Sequence, residues 1–471
     1  MTLARRLAIG ALGALLLLSA CTQERDQPKQ RASIVMVMLD TLRADYVGTY
    51  GFSGDVSPHI DAIGREGVVF ERAFAQSPWT KPSIASLFTG LYPEVHKVLT
   101  ENGRYRDRRG GKLETDALPG EAVTLAEALR QEGYATAAFV ANPWIRAAHG
   151  FAQGFATFDT EGADNEMPAA EIVRRARAWL AQQPEGEPFF LYVHLMDVHG
   201  PYTAPDEHYD ALAGSSATID APGRLPEPLY KRIPPYLRQP AWAQRDDARE
   251  VSTWRQRYAA GVRWVDAQLV PLWTDLRDRQ VYDSSWIVVT SDHGEALYDN
   301  QLWDHGYSLY EHQIRVPMIV RFPGGAHGGR RVGAVAELVD LMPTLLAGIG
   351  APVPDGIQGE DLTPTLQGHV PEVDVAFAEA VKWRPTQRGV RVPGFKLIFD
   401  PGADRQVLYD LTADPGETRD ASAQHPQVVA RLLELLQRYE ARKAAHDGFA
   451  GEAAEVPPDV AERLRSLGYF Q

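Results

Sequence analysis

Three residues from two distant parts of this sequence share a chemistry. Asp40 closes the stretch "IVMVMLD", and Asp292 and His293 close "SWIVVTSDH". Two carboxylates and an imidazole form a donor set for a hard-to-borderline divalent cation. A hydroxyl that completes the set lies in "SPWTKPSIASLFTG", where Thr80 precedes Pro82 and Gly90. Pro82 suits the first position of a helix and Gly90 suits its far end. Thr80 then stands at, or just before, a helix N-terminus, where unpaired backbone N–H groups attract anions such as phosphate or sulfate. Taken singly, "SDHG" also fits a turn with a capping aspartate, and "TKPS" also fits a simple cap. Set beside "MLDTLRADYVG", they fit metal-assisted chemistry on an oxyanion better.

These residues need a frame that brings them together. "IVMVMLD" (34–40), "TAAFVAN" (136–142), "FFLYVHLMDVH" (189–199) and "SWIVVTSDH" (285–293) are apolar runs ending in polar or ionisable groups. Such runs fit strands buried on both faces of a parallel sheet. Helical patterns alternate with them: "TLAEALRQEG", with Thr124 as N-cap and Gly133 as stop, then "AAEIVRRARAWLAQQ" and "RQRYAAGVRWVDAQLVPLWTDLRDRQ". The last is expected to break near Pro271. Alternation predicts an α/β fold with a mostly parallel sheet, and ligands in such sheets sit beyond the carboxyl ends of the strands. Asp40, Asp197, His199, Asp292 and His293 all fall there. The Pro-rich stretch 211–245 reads as a lid-like excursion. "AELVDLMPTLLAGIG" closes the main domain, 33–350, and 351–471 reads as a smaller α+β subdomain of short antiparallel strands and a helix.

Composition narrows the setting. A chain of 471 residues with 44% hydrophobic and 23% charged residues builds a sizeable core. A net charge of −14 disfavours nonspecific nucleic-acid binding. With Cys21 as the sole cysteine, disulfides within the chain and cysteine-based zinc sites are excluded. That cysteine follows Arg5, Arg6, an apolar run from Leu7 to Leu18, and the small residues Ser19 and Ala20, the layout of a secretory signal over 1–20. "LSAC" resembles the bacterial lipobox. The resemblance implies lipidation of Cys21, a polar tether over 21–32, and export across the inner membrane to an envelope position, with Thr22 leaning toward the outer membrane.

A family resemblance runs from about Ile34 nearly to the C-terminus. "VMLDTLRADYVGTYGF", "SPHIDAIGREGVVFERAFAQSPWTKPSIASLFTGLYPEVH", "FFLYVHLMDVHGPY", "VVTSDHGEALYDNQLWDHGYSLYEHQIRVPMIVRFPG" and "VLYDLTADPGETRD" resemble, in unbroken order, the sulfatase family of the alkaline phosphatase superfamily. The resemblance implies a large mixed, mostly parallel sheet between helices, with a small C-terminal sheet subdomain. It assigns Asp40, Asp292 and His293 as ligands of one divalent metal ion (Ca²⁺, Mn²⁺, Mg²⁺ or Zn²⁺) and Thr80 as nucleophile and further ligand. It places His199 and His305 on the substrate side, at the anionic group or the leaving oxygen. Asn142 and Lys396 are candidate substrate contacts, with a strand-edge lysine as the alternative for Lys396. The spacing of Asp197, His199 and His194 does not fit a second metal, and His194 reads as a core histidine satisfied by backbone.

The departures from the pattern carry mechanism. Sulfatases of the main type hold Cys or Ser, then x-Pro-x-Arg, and the first residue matures to formylglycine. Here those positions are Thr80, Pro82 and Ile84. Threonine would give a ketone, not an aldehyde, so a sulfated intermediate lacks its usual exit. Thr41 replaces a second acidic residue, and "VANPWI" stands where "GKWH" is expected. A threonine ester of phosphorus is cleared by in-line attack of water. The leading expectation is therefore a metal-dependent hydrolase or transferase of anionic phospho- or sulfo-esters of the cell envelope or exterior, with Thr80 favouring phosphoesters. The alternatives are a sulfatase working without formylglycine, and a catalytically silent glycan- or lipid-binding lipoprotein.

Overall fold

Strand β1 (Ile34–Leu39) is apolar at every position because both of its faces are covered. Its odd-numbered side chains enter one core and its even-numbered side chains the other. On either side it pairs in parallel with β5 (Phe189–Leu195) and β6 (Trp286–Thr290), so that Ile34 faces both Phe190 and Trp286. The sheet has eight strands. The others are β2 (Val68–Phe74), β3 (Ala135–Val140), β4 (Thr157–Asp159), β7 (Arg315–Arg321) and β8 (Arg330–Glu337). Their spatial order is β8-β2-β7-β6-β1-β5-β3-β4, and β7 alone runs antiparallel to its neighbours.

This description comes from a computed structural model and covers residues 31–99, 113–162, 167–212, 223–369, 374–379, 382, 387–446, 448–458 and 460–462. The expected signal segment, Cys21 and most of the tether lie outside the described residues. Among the described residues no helix is long and apolar enough to cross a membrane.

Helices cover both faces of the sheet. One face carries α1 (Pro58–Glu66), α4 (Ala169–Leu180) and α5 (Val251–Asp278); the other carries α2 (Thr80–Thr89), α3 (Leu125–Gln131) and α6 (Leu341–Gly348). Helix α3 starts on the expected Thr124, whose hydroxyl accepts from Glu127 N while the Glu127 carboxylate reaches back to Thr124 N. The expected break at Pro271 does not occur: α5 runs through it for 28 residues. Leu269, Leu272, Trp273 and Leu276 are buried along that turn, and their packing offsets the roughly 3 kcal/mol a proline costs inside a helix.

The C-terminal subdomain is a four-stranded antiparallel sheet, β9 (Ala376–Ala378), β10 (Arg388–Val392), β11 (Phe395–Asp400) and β12 (Arg405–Asp410), backed by α7 (Pro426–Ala445). Phe377 N donates to Glu337 Oε1 at 2.9 Å, which fastens β9 to the end of β8. The described part of 211–245 folds as short helical turns whose Leu225, Ile233, Tyr236, Leu237 and Trp242 join the core around α5. Leu237 lies against Gly200, where a Cβ would meet Leu237 Cδ2 at 2.3 Å, so this stretch packs directly beside His199.

Candidate active site

Asp40 directly follows β1, Asn142 lies just beyond β3, and Asp292 and His293 follow β6. The parallel register puts these ends side by side at the sheet's carboxyl edge. Across from them α2 begins. Its first helical residue is Thr80 and its cap is the extended Trp79, so Pro82 is the third residue of the helix and not the first, as its sequence position had suggested. N–H groups of the first turn have no partner within the helix, so a proline fits at either place. Gly90 ends the helix with φ +66, as expected. Ser83 Oγ donates to Ser77 O at 2.8 Å and ties the helix start to its entry loop.

Each carboxylate is fixed through one oxygen and presents the other. Asp40 Oδ2 accepts from Asn142 Nδ2 at 2.6 Å and from His194 Nε2 at 3.0 Å. The Tyr192 hydroxyl, 3.1 Å from His194 Nδ1, donates to it and leaves the ring proton on Nε2. Asp292 Oδ1 accepts from Thr41 N at 3.2 Å and His293 N at 3.0 Å. Thr41 takes φ +61 to aim that N–H, while its hydroxyl bonds Asp40 O at 2.6 Å and its carbonyl accepts from Tyr258 Oη at 2.6 Å. Asp40 Oδ1 and Asp292 Oδ2 remain buried without a hydrogen-bond partner. They lie 3.8 Å and 3.4 Å from His293 Nε2. His293 Nδ1–H donates to Gly294 O at 2.9 Å, so Nε2 carries a lone pair. Thr80 Oγ1 is 3.3 Å from that nitrogen and 3.4 Å from Asn142 Nδ2.

Two orphaned carboxylate oxygens, an imidazole lone pair and a hydroxyl thus converge in a fully buried pocket. A buried charge without a partner is costly, and a divalent cation is the group that this donor set fits. His194 belongs to the same cluster: Asp40, His194 and Asp292 each offer a ligand atom within 4.8 Å of the others. The expectation of a backbone-satisfied core histidine fails here, because both ring nitrogens of His194 meet side chains.

A second group of ionisable side chains adjoins the first. The His305 ring lies 4.5 Å from that of His293 and 5.0 Å from that of His199, centroid to centroid. Its Nδ1 stands 3.0 Å from Asp304 Oδ1 and 3.5 Å from Glu295 Oε1, with all three residues buried. Burial works against charge on His305, but Asp304 and Glu295 outweigh it and push the imidazole up to about 10. Asp304 is held down at about 2: burial opposes this, and the His305 charge prevails. Burial lifts Glu295 to about 7. His199 goes the other way, because burial and the adjacent His305 favour its neutral form. Its Nδ1–H donates to Gly200 O at 2.6 Å, leaving Nε2 as an acceptor. Burial also brings His293 down to about 4. At Asp40 burial alone would favour the acid, but the hydrogen bond from His194 keeps it below the usual carboxylate range. Asp292 is raised by burial and by the charge of Asp40.

The structure draws Asp40, Thr80, Asn142, His199, Asp292, His293 and His305 into one locality. Lys396 is not among them. It is fully buried on β11, with Nζ 2.5 Å from Glu417 Oε1 and 3.3 Å from Glu311 Oε1, where it joins the C-terminal sheet to the chain beyond His305. Asp197 is structural too, accepting from Ala169 N and Trp264 Nε1. Glu295 and Asp304 were not singled out from sequence, although each sits within two residues of a histidine that was. A cavity of about 200 Å³ reaches His199, lined by Met196, Pro201, Pro205 and Trp264. A larger one, about 610 Å³, lies beside the junction of β8 and β9, lined by Glu337, Asp340 and Phe377 among others, and holds none of these residues.

Comparison with known proteins identifies the family. The family model described as Sulfatase matches residues 32–351, and one described as N-sulphoglucosamine sulphohydrolase, C-terminal, matches 299–442. An ulvan-active sulfatase of Formosa agariphila is 26% identical over 390 residues, covering 75% of this chain and 68% of that protein. An N-acetylglucosamine-6-O-sulfatase of Bacteroides thetaiotaomicron is 24% identical, covering 90% of this chain and 89% of that one. Among solved structures, the phosphonate monoester hydrolase of Agrobacterium radiobacter superposes with a TM-score of 0.68 at 22% identity, over 88% of this chain and 96% of that one. A protein solved with its substrate D-glucosamine-2-N,6-O-disulfate gives 0.71 at 21% identity, over 89% and 99%. With a family model spanning about two thirds of its length, the chain belongs to the sulfatase family of the alkaline phosphatase superfamily and is an ester hydrolase of that superfamily.

Proposed function

We propose that this protein is a metal-dependent hydrolase of anionic phosphate esters in which Thr80 is the nucleophile. One observation carries the reading. The hydroxyl at the head of α2 is 3.3 Å from His293 Nε2, beside two unpartnered carboxylate oxygens, and it belongs to a threonine that cannot become an aldehyde. Asp40, Asp292, His293 and Thr80 would hold the cation, with His194 and Asn142 orienting Asp40. A cation bound there lowers the pKa of the Thr80 hydroxyl and neutralises charge on the ester.

Thr80 Oγ1, its proton released to bulk water, attacks phosphorus in line with the departing alcohol. The bond from phosphorus to Oγ1 forms as the bond to the leaving oxygen breaks. The His305 imidazolium, charged through Asp304 and Glu295, gives its proton to that oxygen. His199, neutral and with its Nδ1–H given to Gly200 O, takes a proton from the water that then displaces Thr80. Two histidines with pKa values pushed apart thereby divide the acid and base roles. The N-terminal "LSAC" supports a lipid-anchored enzyme that meets esters of the envelope or exterior.

Relatives named as sulfatases favour a second reading, sulfate transfer through the same hydroxyl. Mass spectrometry of the Thr80 peptide after brief exposure to activated phosphate and sulfate esters separates the two. A phosphoryl adduct on Thr80 is expected, and a sulfuryl adduct moves the assignment to sulfate. No adduct and no turnover by metal-loaded protein, with tight binding of a glycan or lipid, leaves the silent binding lipoprotein.

A further inference from the structure

A cavity of about 520 Å³ has both the head of β7 and the C-terminal sheet in its wall, and it is lined by none of Asp40, Thr80, Asp292 and His293. Arg315, the first residue of β7, and Arg391, on β10, line it together with His312. Arg391 is 8% exposed, so its charge is held away from bulk water. Its Cζ lies 5.1 Å from the centroid of the Phe74 ring at the end of β2.

A buried cation is costly unless it is paired and hydrogen-bonded. Arg391 falls short on both counts. Its Nη1–H donates to Val392 O at 2.7 Å, a neutral acceptor, and its Nε has no hydrogen-bond partner. Among the described residues its one ion-pair partner is Glu311, 3.6 Å from Nε, and Glu311 is shared with Lys396. Burial draws the Arg391 pKa down against the pull of Glu311, and the like charges of Arg72 and Arg315 add to the fall. Arg315 repeats the pattern: it donates from Nη2 to Glu71 O at 2.9 Å, and its Nε has no partner. His312 Nε2 is a third nitrogen of this wall without one. The other carboxylates of the wall are already matched. Asp45 and Asp299 each lie 2.7 Å from the Arg43 guanidinium, and Glu417 takes Lys396.

We propose that this cavity binds a small oxyanion, such as phosphate or sulfate, between the guanidiniums of Arg391 and Arg315. The planar N–H edge of a guanidinium matches a pair of oxygens on such an anion, and the anion supplies the negative charge that the two arginines lack. The site is independent of the chemistry proposed at Thr80, yet its wall backs onto the loop that carries Asp292 and His293. Arg43 Nη1 donates to Glu295 O at 3.1 Å, and a Cβ on Gly294 would meet His312 O at 2.2 Å. The oxyanion is either a free inorganic ion or a second anionic group on a multiply charged substrate.

The test soaks crystals of the full, metal-loaded chain with tungstate, whose anomalous scattering marks an oxyanion. A peak within hydrogen-bond reach of Arg391 and Arg315 is expected, and a cavity with no peak overturns the proposal. In solution, calorimetric titration with inorganic phosphate checks the residue. Arg391→Met should weaken binding at one site by about tenfold or more, the loss of one hydrogen bond to a charged group, and Arg391→Lys should recover part of it. Matching titrations of wild type and the methionine variant overturn the proposal. If that variant does not fold, Arg315→Met takes its place. Glucose 1-phosphate and glucose 1,6-bisphosphate, titrated into Thr80→Val protein so that neither is consumed, separate the two sources. Bisphosphate affinity that falls with Arg391→Met, while monophosphate affinity holds, assigns the anion to a substrate. Weakened inorganic phosphate with both sugar phosphates unaffected assigns a free ion. Wild-type protein that cleaves no phosphate ester overturns the reading at Thr80, and the tungstate peak still decides the cavity.

Discussion

Thr80 has two polar neighbours, His293 and Asn142, and no side-chain cap bond of its own, so its hydroxyl contributes little to holding α2 together. Removing it should therefore separate chemistry from stability. Thr80→Val, equal in shape, is expected to lower kcat/KM by about a thousandfold or more with little change in Tm. Thr80→Ser should keep activity within about tenfold, because the nucleophilic oxygen is retained. Steady-state rates beside a thermal melt check both. At this scale the sequence was legible where a residue closed an apolar run, as Asp40 and Asp292 do. It was less so inside a run. His194 lies within "FFLYVHL", and nothing local says whether a polar side chain there meets backbone or another strand's carboxylate. The parallel pairing decides it, since β5 places His194 opposite Met38 and Val140, next to the residues leading into Asp40 and Asn142. Lys396 failed for the converse reason. "GFKLIFD" looks like a strand with an exposed edge lysine, whereas Glu311 and Glu417 come from distant segments to bury it.

Among the elements, the doubly covered strands β1, β3, β5 and β6 were readable because continuous apolar runs demand cover on both faces. Strands β2, β7 and β8 were not, since "VVFERAF" and "RRVGAVAE" mix charge with apolar residues and their pairing is set by the fold. The junction of β8 with β9 carries a pH dependence that no periodicity shows. Burial and the charge of Asp340 raise Glu337 to about 8, and burial raises Asp340 to about 7. Glu337 accepts from Gln76, Tyr92 and Phe377 N across this junction. A carboxyl raised above its unfolded value contributes stability at low pH and loses it as pH climbs through the folded value. Wild-type Tm is accordingly expected to fall from about pH 4, where the unfolded carboxyls begin to ionise, to about pH 8, the raised value of Glu337. Glu337→Gln should flatten that fall, as differential scanning calorimetry across the range would show; a variant that tracks wild type at every pH refutes the assignment.

For the whole molecule, the cation proposed to sit between the two orphaned carboxylate oxygens would act on stability as well as on catalysis. A ligand bound only by the folded state stabilises it, by about 2.7 kcal/mol at a hundredfold excess over its dissociation constant. Chelation should therefore lower Tm, and return of a divalent ion should restore it. Asp292→Asn should lose most of this response, so a variant that still responds fully refutes the site. The same frame fixes the hydroxyl that we propose as the nucleophile. Every residue of α2 from Thr80 to Thr89 is buried, wedged between the main sheet and α6. The entropy of immobilising the attacking oxygen is thus surrendered when the chain folds. On the proposed chemistry, an arriving ester would meet an oxygen whose place the fold has already fixed.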